Sequence, residues 1–106
     1  MPKYLLQVNY TMEGAKGLIK EGGSARRAAA QKAAESLGGR VESMYFAFGD
    51  TDAYVISEMP DNACVAALTL ALAASGAATG RTTVLMTPEE MDQATKKSPT
   101  YRPPGQ

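Results

Sequence analysis

Four carboxylates gather around one turn of this chain: Asp50 and Asp52 within Gly49-Asp50-Thr51-Asp52, and Glu42 and Glu58 on the segments either side. Clustered carboxylates do acid–base work when burial lifts one of their pKa values toward neutrality. An aspartate next to glycine has a simpler use, capping loop amides, and Asp50 reads that way. Asp52 follows the turn and begins an apolar run, so for it both readings stay open. Arg26 and Arg27 open a helix whose inner stripe is alanine. Small residues over a sheet allow either close packing or a cavity, and an arginine at a cavity mouth pairs with a carboxylate or enolate. Exposed, solvated arginine is the commoner case.

Other chemistry is excluded by composition. Histidine is absent and cysteine occurs once, as Cys64. Imidazole catalysis, an internal disulfide and thiolate metal clusters are therefore ruled out. Without a histidine to activate it, Cys64 reads as a small apolar group. No spacing of Asp or Glu places three on one face of an element, so no metal site is expected. Gly17–Ser24 resembles a phosphate loop but has Gly23 where lysine is required, and a helix-breaking double glycine explains it better. No cofactor follows. Lys and Arg balance Asp and Glu at 11 each, with no basic stripe for nucleic acid. The longest apolar stretch, Ala63–Ala74, falls short of the roughly 20 residues that span a bilayer, and no signal peptide is read at the start. A cytoplasmic location is the expectation.

The elements that must position these residues follow from periodicity. Tyr4–Thr11 alternates, with Leu6, Val8 and Tyr10 facing one way and Gln7, Asn9 and Thr11 the other. Met12–Leu37 is a helical stretch. Within it, Glu13–Lys20 reads as a loop and short turn broken at Gly22-Gly23, and Ser24 caps a longer helix, Ala25–Leu37, closed by Gly38-Gly39. Arg40–Phe48 and Ala53–Glu58 form a hairpin, Asp61–Ser75 a second helix, Thr79–Thr87 a last strand, and Pro88-Glu89-Glu90 a helical turn. Residues 1–97 make one domain and Ser98–Gln106 an extended tail. The order βαββαβ is the ferredoxin-like plan: an α+β fold with a four-stranded antiparallel sheet and helices on one face. Leu5 lies opposite Leu6, and Tyr45 opposite Met44 and Phe46. A sheet with one wet face would alternate more cleanly, so the helix-free faces of two copies are expected to meet in a homodimer.

Asn9-Tyr10-Thr11, Glu13-Gly14-Ala15-Lys16, Glu35-Ser36-Leu37-Gly38-Gly39, Tyr45, Phe48-Gly49-x-x-Asp52, Ile56, Glu58 and Pro60-Asp61 together resemble the GYD-domain family. Thr51 stands where that family usually carries a tyrosine before its motif aspartate. The resemblance implies a dimeric α/β barrel of the ferredoxin-like superfamily, whose relatives bind small organic molecules between sheet and helices, often without metal or flavin. It supplies no reaction. On this reading Gln7, Asn9, Tyr45, Arg26 and Arg27 orient a small polar organic ligand and Asp52 is the candidate catalytic base. The function expected is small-molecule binding, or cofactor-independent isomerase, cyclase, lyase or monooxygenase chemistry. The alternative is a non-catalytic dimeric interaction or accessory module.

Overall fold

A computed structural model describes residues 1–106. Strand β1 (Lys3–Tyr10) leads into two helices, α1 (Met12–Glu21) and α2 (Gly23–Ser36). Strands β2 (Arg40–Phe46) and β3 (Ala53–Glu58) form the hairpin, and α3 (Asn62–Ala74) returns the chain to β4 (Ala78–Leu85) and a last helix, α4 (Pro88–Thr95). All four strands join one antiparallel sheet in the order β2-β3-β1-β4. This is the α+β, ferredoxin-like arrangement that the order of elements predicts. No helix is long and apolar enough to cross a membrane.

Register decides which side chains meet the helices. Leu6 pairs with Val55 and Val8 with Ala53, so the apolar members of two strands fall on one face. At one end of that face Tyr4, Ala34, Met59 and Val65 form a closed cluster. The Tyr4 hydroxyl there donates to Asn62 Oδ1 at 2.6 Å. At the other end Val8, Ala53 and Ala78 form a second cluster. Only 11 of the 106 residues are buried, because the space between the two clusters is not filled. Helix α2 packs on β2 and α3 on β4, the two outer strands, which leaves central strands β3 and β1 open between them.

The boundaries differ from the expectation in instructive ways. Glu13–Lys20 is not a loop but the body of α1. Its N-terminus is capped by Thr11, whose side chain accepts from the Gly14 amide at 3.3 Å, a local bond that offsets the low helix propensity of Gly14 and Gly17. Ser24 caps nothing. Gly22 alone separates the helices, with φ at 86°, a left-handed conformation that glycine adopts without penalty. Strand β2 ends two residues early because the Ala47 amide donates to Asp52 O at 2.8 Å, closing the hairpin before Phe48. The turn at Pro88 grows into α4, held by a capping box between Thr87 and Glu90. Residues 88–106 are exposed throughout. They stretch the molecule to 56 × 32 × 23 Å with a radius of gyration of 16.9 Å, against about 13 Å for a compact chain of this length.

Candidate ligand site

Between α2 and α3, over the uncovered middle of the sheet, lies a cavity of about 310 Å³. Its floor is Leu6, Val8, Val55 and Ser57; Ala30 and Ala33 line one side, Leu68 and Leu72 the other. The cause is local. Alanine at the inward positions of α2 has no side chain long enough to reach α3, and the helices stand over opposite edges of the sheet. Of sixteen lining residues only Arg26, Ser57 and Ser75 are polar, besides the phenol of Tyr10. Such a lining suits an apolar body with one polar end.

The charged group is at the end where α2 begins. Arg26 stands beside Tyr10, the last residue of β1, and reaches Glu21 only at 3.4 Å. Burial pushes the Tyr10 phenol above its ordinary pKa of about 10. The Arg26 guanidinium opposes that shift and the Asp52 carboxylate adds to it. Tyr10 is therefore a neutral hydroxyl at physiological pH, able to donate to a ligand oxygen that Arg26 holds. Asp52 itself ties the end of β1 to the hairpin. Its Oδ2 accepts from the Tyr10 amide at 2.8 Å, and its own amide donates to Val8 O at 3.0 Å and to Asn9 Oδ1 at 3.1 Å.

The residues singled out from sequence do not form one group. Arg26 is at the cavity, whereas Arg27, the next residue on α2, is exposed and lines no part of it. Gln7 lies on the helix-free face, where its Oε1 accepts from Arg81 at 2.9 Å and from the Thr51 hydroxyl at 3.2 Å. Tyr45 shares that face, opposite Tyr54 and 71% exposed. Asn9 holds the Asp52 backbone rather than the cavity wall. Two cavity residues, and one partner on the helix-free face, are not among those singled out from sequence. Tyr10 alternates with Leu6 and Val8, which puts it on the cavity side. Ser57 is a buried hydroxyl at the floor. Arg81 meets Gln7 only through the β1–β4 register, which no local pattern reveals.

The remaining carboxylates and the thiol are engaged elsewhere. Glu58 accepts from Arg40 Nε at 2.8 Å and lies 3.5 Å from Lys3 Nζ, and Lys3 also contacts Glu42. Arg40 holds the Glu58 carboxyl below its usual range, while Glu42 raises Lys3. Glu42 reaches this network because a register shift between Val41 and Ser43 makes it a bulge. Cys64 sits over the Asp61 cap, and Asp61 followed by burial raises its thiol pKa, the reverse of what a nucleophile needs. No group of three acidic, cysteine or histidine side chains is placed to hold a metal ion.

Comparison with known proteins gives one match: the GYD domain family model aligns with residues 4–95. No curated protein and no solved structure matches the chain. The alignment spans nearly all of the folded part, and the chain belongs to the GYD domain family.

Proposed function

We propose that this protein binds a small, largely apolar organic acid in the cavity between α2 and α3, and that it does so as a homodimer joined through the helix-free faces of two sheets. The observation that carries the first part is the pairing of an apolar cavity of about 310 Å³ with a single cation, Arg26, at its end. An apolar body leaves water for the cavity at about 25 cal/mol per Å², and its acid group meets Arg26 and the Tyr10 hydroxyl. This ligand is more apolar than the small polar compound expected from sequence, because Gln7, Asn9 and Tyr45 line other surfaces. The dimer is supported by Leu5, Ile56, Tyr54 and Tyr45, which leave apolar surface on the helix-free side beside the Lys3–Arg40–Glu42–Glu58 ion network, an apolar centre with a charged rim.

The reading is one of binding. Asp52, the candidate base, has its carboxylate bonded to a backbone amide, and Tyr10 stands beside the cavity's cation as a proton donor. The alternative, an interaction module, draws on the exposed arm of residues 88–106. Calorimetric titration with decanoate and with decanol separates them. The expected result is one decanoate per chain, weaker binding of the alcohol, and a loss of about tenfold or more in decanoate affinity in Arg26→Gln, the size of one charge-assisted hydrogen bond. Equal affinity of Arg26→Gln and the unsubstituted protein for decanoate overturns the assignment of Arg26. No binding of either probe leaves the interaction module.

A further inference from the structure

On the far side of Tyr10 lies a second, more open cradle, between α1 and the loop that follows β2. Leu18, Ile19, Phe46 and Phe48 are its apolar lining, and Asp52 closes its inner edge with one carboxylate oxygen bonded to the Tyr10 amide. Ile19 is 85% exposed and Phe48 fully so, which is unusual company for two large apolar side chains at one rim. The wall is fixed: a Cβ on Gly23 would come within 2.9 Å of the Phe46 ring, so the ring lies directly on the first turn of α2. Tyr10 is the one residue that lines both this cradle and the cavity. Arg26 belongs to the cavity side of its phenol and Asp52 to the cradle side.

Resting on the ligand reading above, we infer that the cradle is the second half of the same site. The ligand then carries its acid group between two apolar arms rather than at the end of one. The longer arm lies between α2 and α3. The acid sits on Arg26 and the Tyr10 hydroxyl. A second arm, a ring or short branch at the carbon next to the acid group, passes the Tyr10 ring and covers Leu18, Ile19 and Phe48. The shared wall carries this assignment: Tyr10 lines both spaces, so an acid held at its hydroxyl by Arg26 has apolar lining on either side of that ring. An arm in the cradle also removes from water the two side chains that the free protein leaves bare.

The test compares decanoate with 2-benzyldecanoate on the full chain, in the unsubstituted protein and in Phe48→Ala and Ile19→Ala. Both positions are exposed enough for the fold to tolerate the change. The expected result is that the benzyl branch tightens binding by about fivefold or more, the contribution of burying part of a ring. Each substitution is expected to remove most of that gain and to leave decanoate affinity unchanged. If decanoate binds but the branch adds nothing, or its gain survives both substitutions, the second arm is overturned while the cavity reading stands. If decanoate itself does not bind, the cavity reading fails first. A drop in assembly mass by light scattering in Phe48→Ala overturns the inference in another way, by showing that a second copy occupies the cradle.

Discussion

On the helix-covered face, the central strands present Leu6, Val8, Val55 and Ser57 to open space. On the opposite face the alternate residues of the same strands present Lys3, Gln7 and Glu58 to side chains that answer them: Glu42, Arg81 and Arg40. One face is apolar and under-filled, the other carries internally paired polar groups beside an exposed apolar patch. The difference comes from what stands over each. Two helices above the outer strands, one of them alanine-lined, do not close over the middle, whereas long side chains lying on a bare sheet reach their neighbours. A space under helices is suited to a small guest. A bare face with apolar residues beside paired charges is suited to a flat partner of its own kind.

The strongest way to break this comparison is to ask where the covered face is solid. Met59 is fully buried in the closed end of that face, and Leu68 lines the cavity. Met59→Ala is expected to cost about 3 kcal/mol of unfolding free energy and Leu68→Ala about 1, since truncation beside existing space removes fewer contacts. Urea unfolding measures both. Equal costs would mean that the helices close over Leu68 in solution.

Asp52 gives a sharper, smaller test. It accepts the Tyr10 amide and anchors Asn9 and Val8, while Asp50 is an exposed turn residue. Asp52→Ala is expected to lower the melting temperature by several degrees, on the order of 1–2 kcal/mol for a lost bond to a half-buried amide. Asp50→Ala should leave it nearly unchanged. Indistinguishable thermal scans of the two variants would reduce Asp52 to a solvated turn residue.

The helix-free face is tested by charge. Ile56→Asp places a carboxylate at the centre of the proposed interface, beside Leu5 in the register. The expected outcome is a monomer by light scattering with folding retained, since the position faces away from the core. A dimer that persists in this variant would move the interface elsewhere on the molecule.

Much of the architecture is legible in the sequence. The alternation Leu6, Val8, Tyr10, the hairpin limits at Arg40 and Glu58, and the helix start at Pro60-Asp61 are local signals, and local geometry obeys them to within a residue. The helical stretch from Met12 is legible, but Glu13–Lys20 reads as a broken turn within it because Gly14 and Gly17 argue against a regular helix, and the Thr11 cap that outweighs them belongs to the preceding strand's end. The candidate site was less legible. Gln7 and Arg26 are both polar and both next to an apolar residue, one in a strand and one in a helix, yet they lie on opposite faces of the sheet. Only the register and the positions of α2 and α3 separate them. The cavity is a matter of helix spacing. Alanine at positions 30, 33 and 34 is compatible with tight packing or with a gap, and periodicity alone treats the two alike.

That gap is the central claim, and filling it tests the claim most directly. Ala33 lines the cavity from α2. Ala33→Leu adds an apolar side chain of good helix propensity to a space that is open in the structure, so a gain in stability of about 1 kcal/mol is expected. Titrated side by side with decanoate, the unsubstituted protein should bind one equivalent per chain and the more stable Ala33→Leu variant none. Undiminished binding by Ala33→Leu would contradict the account.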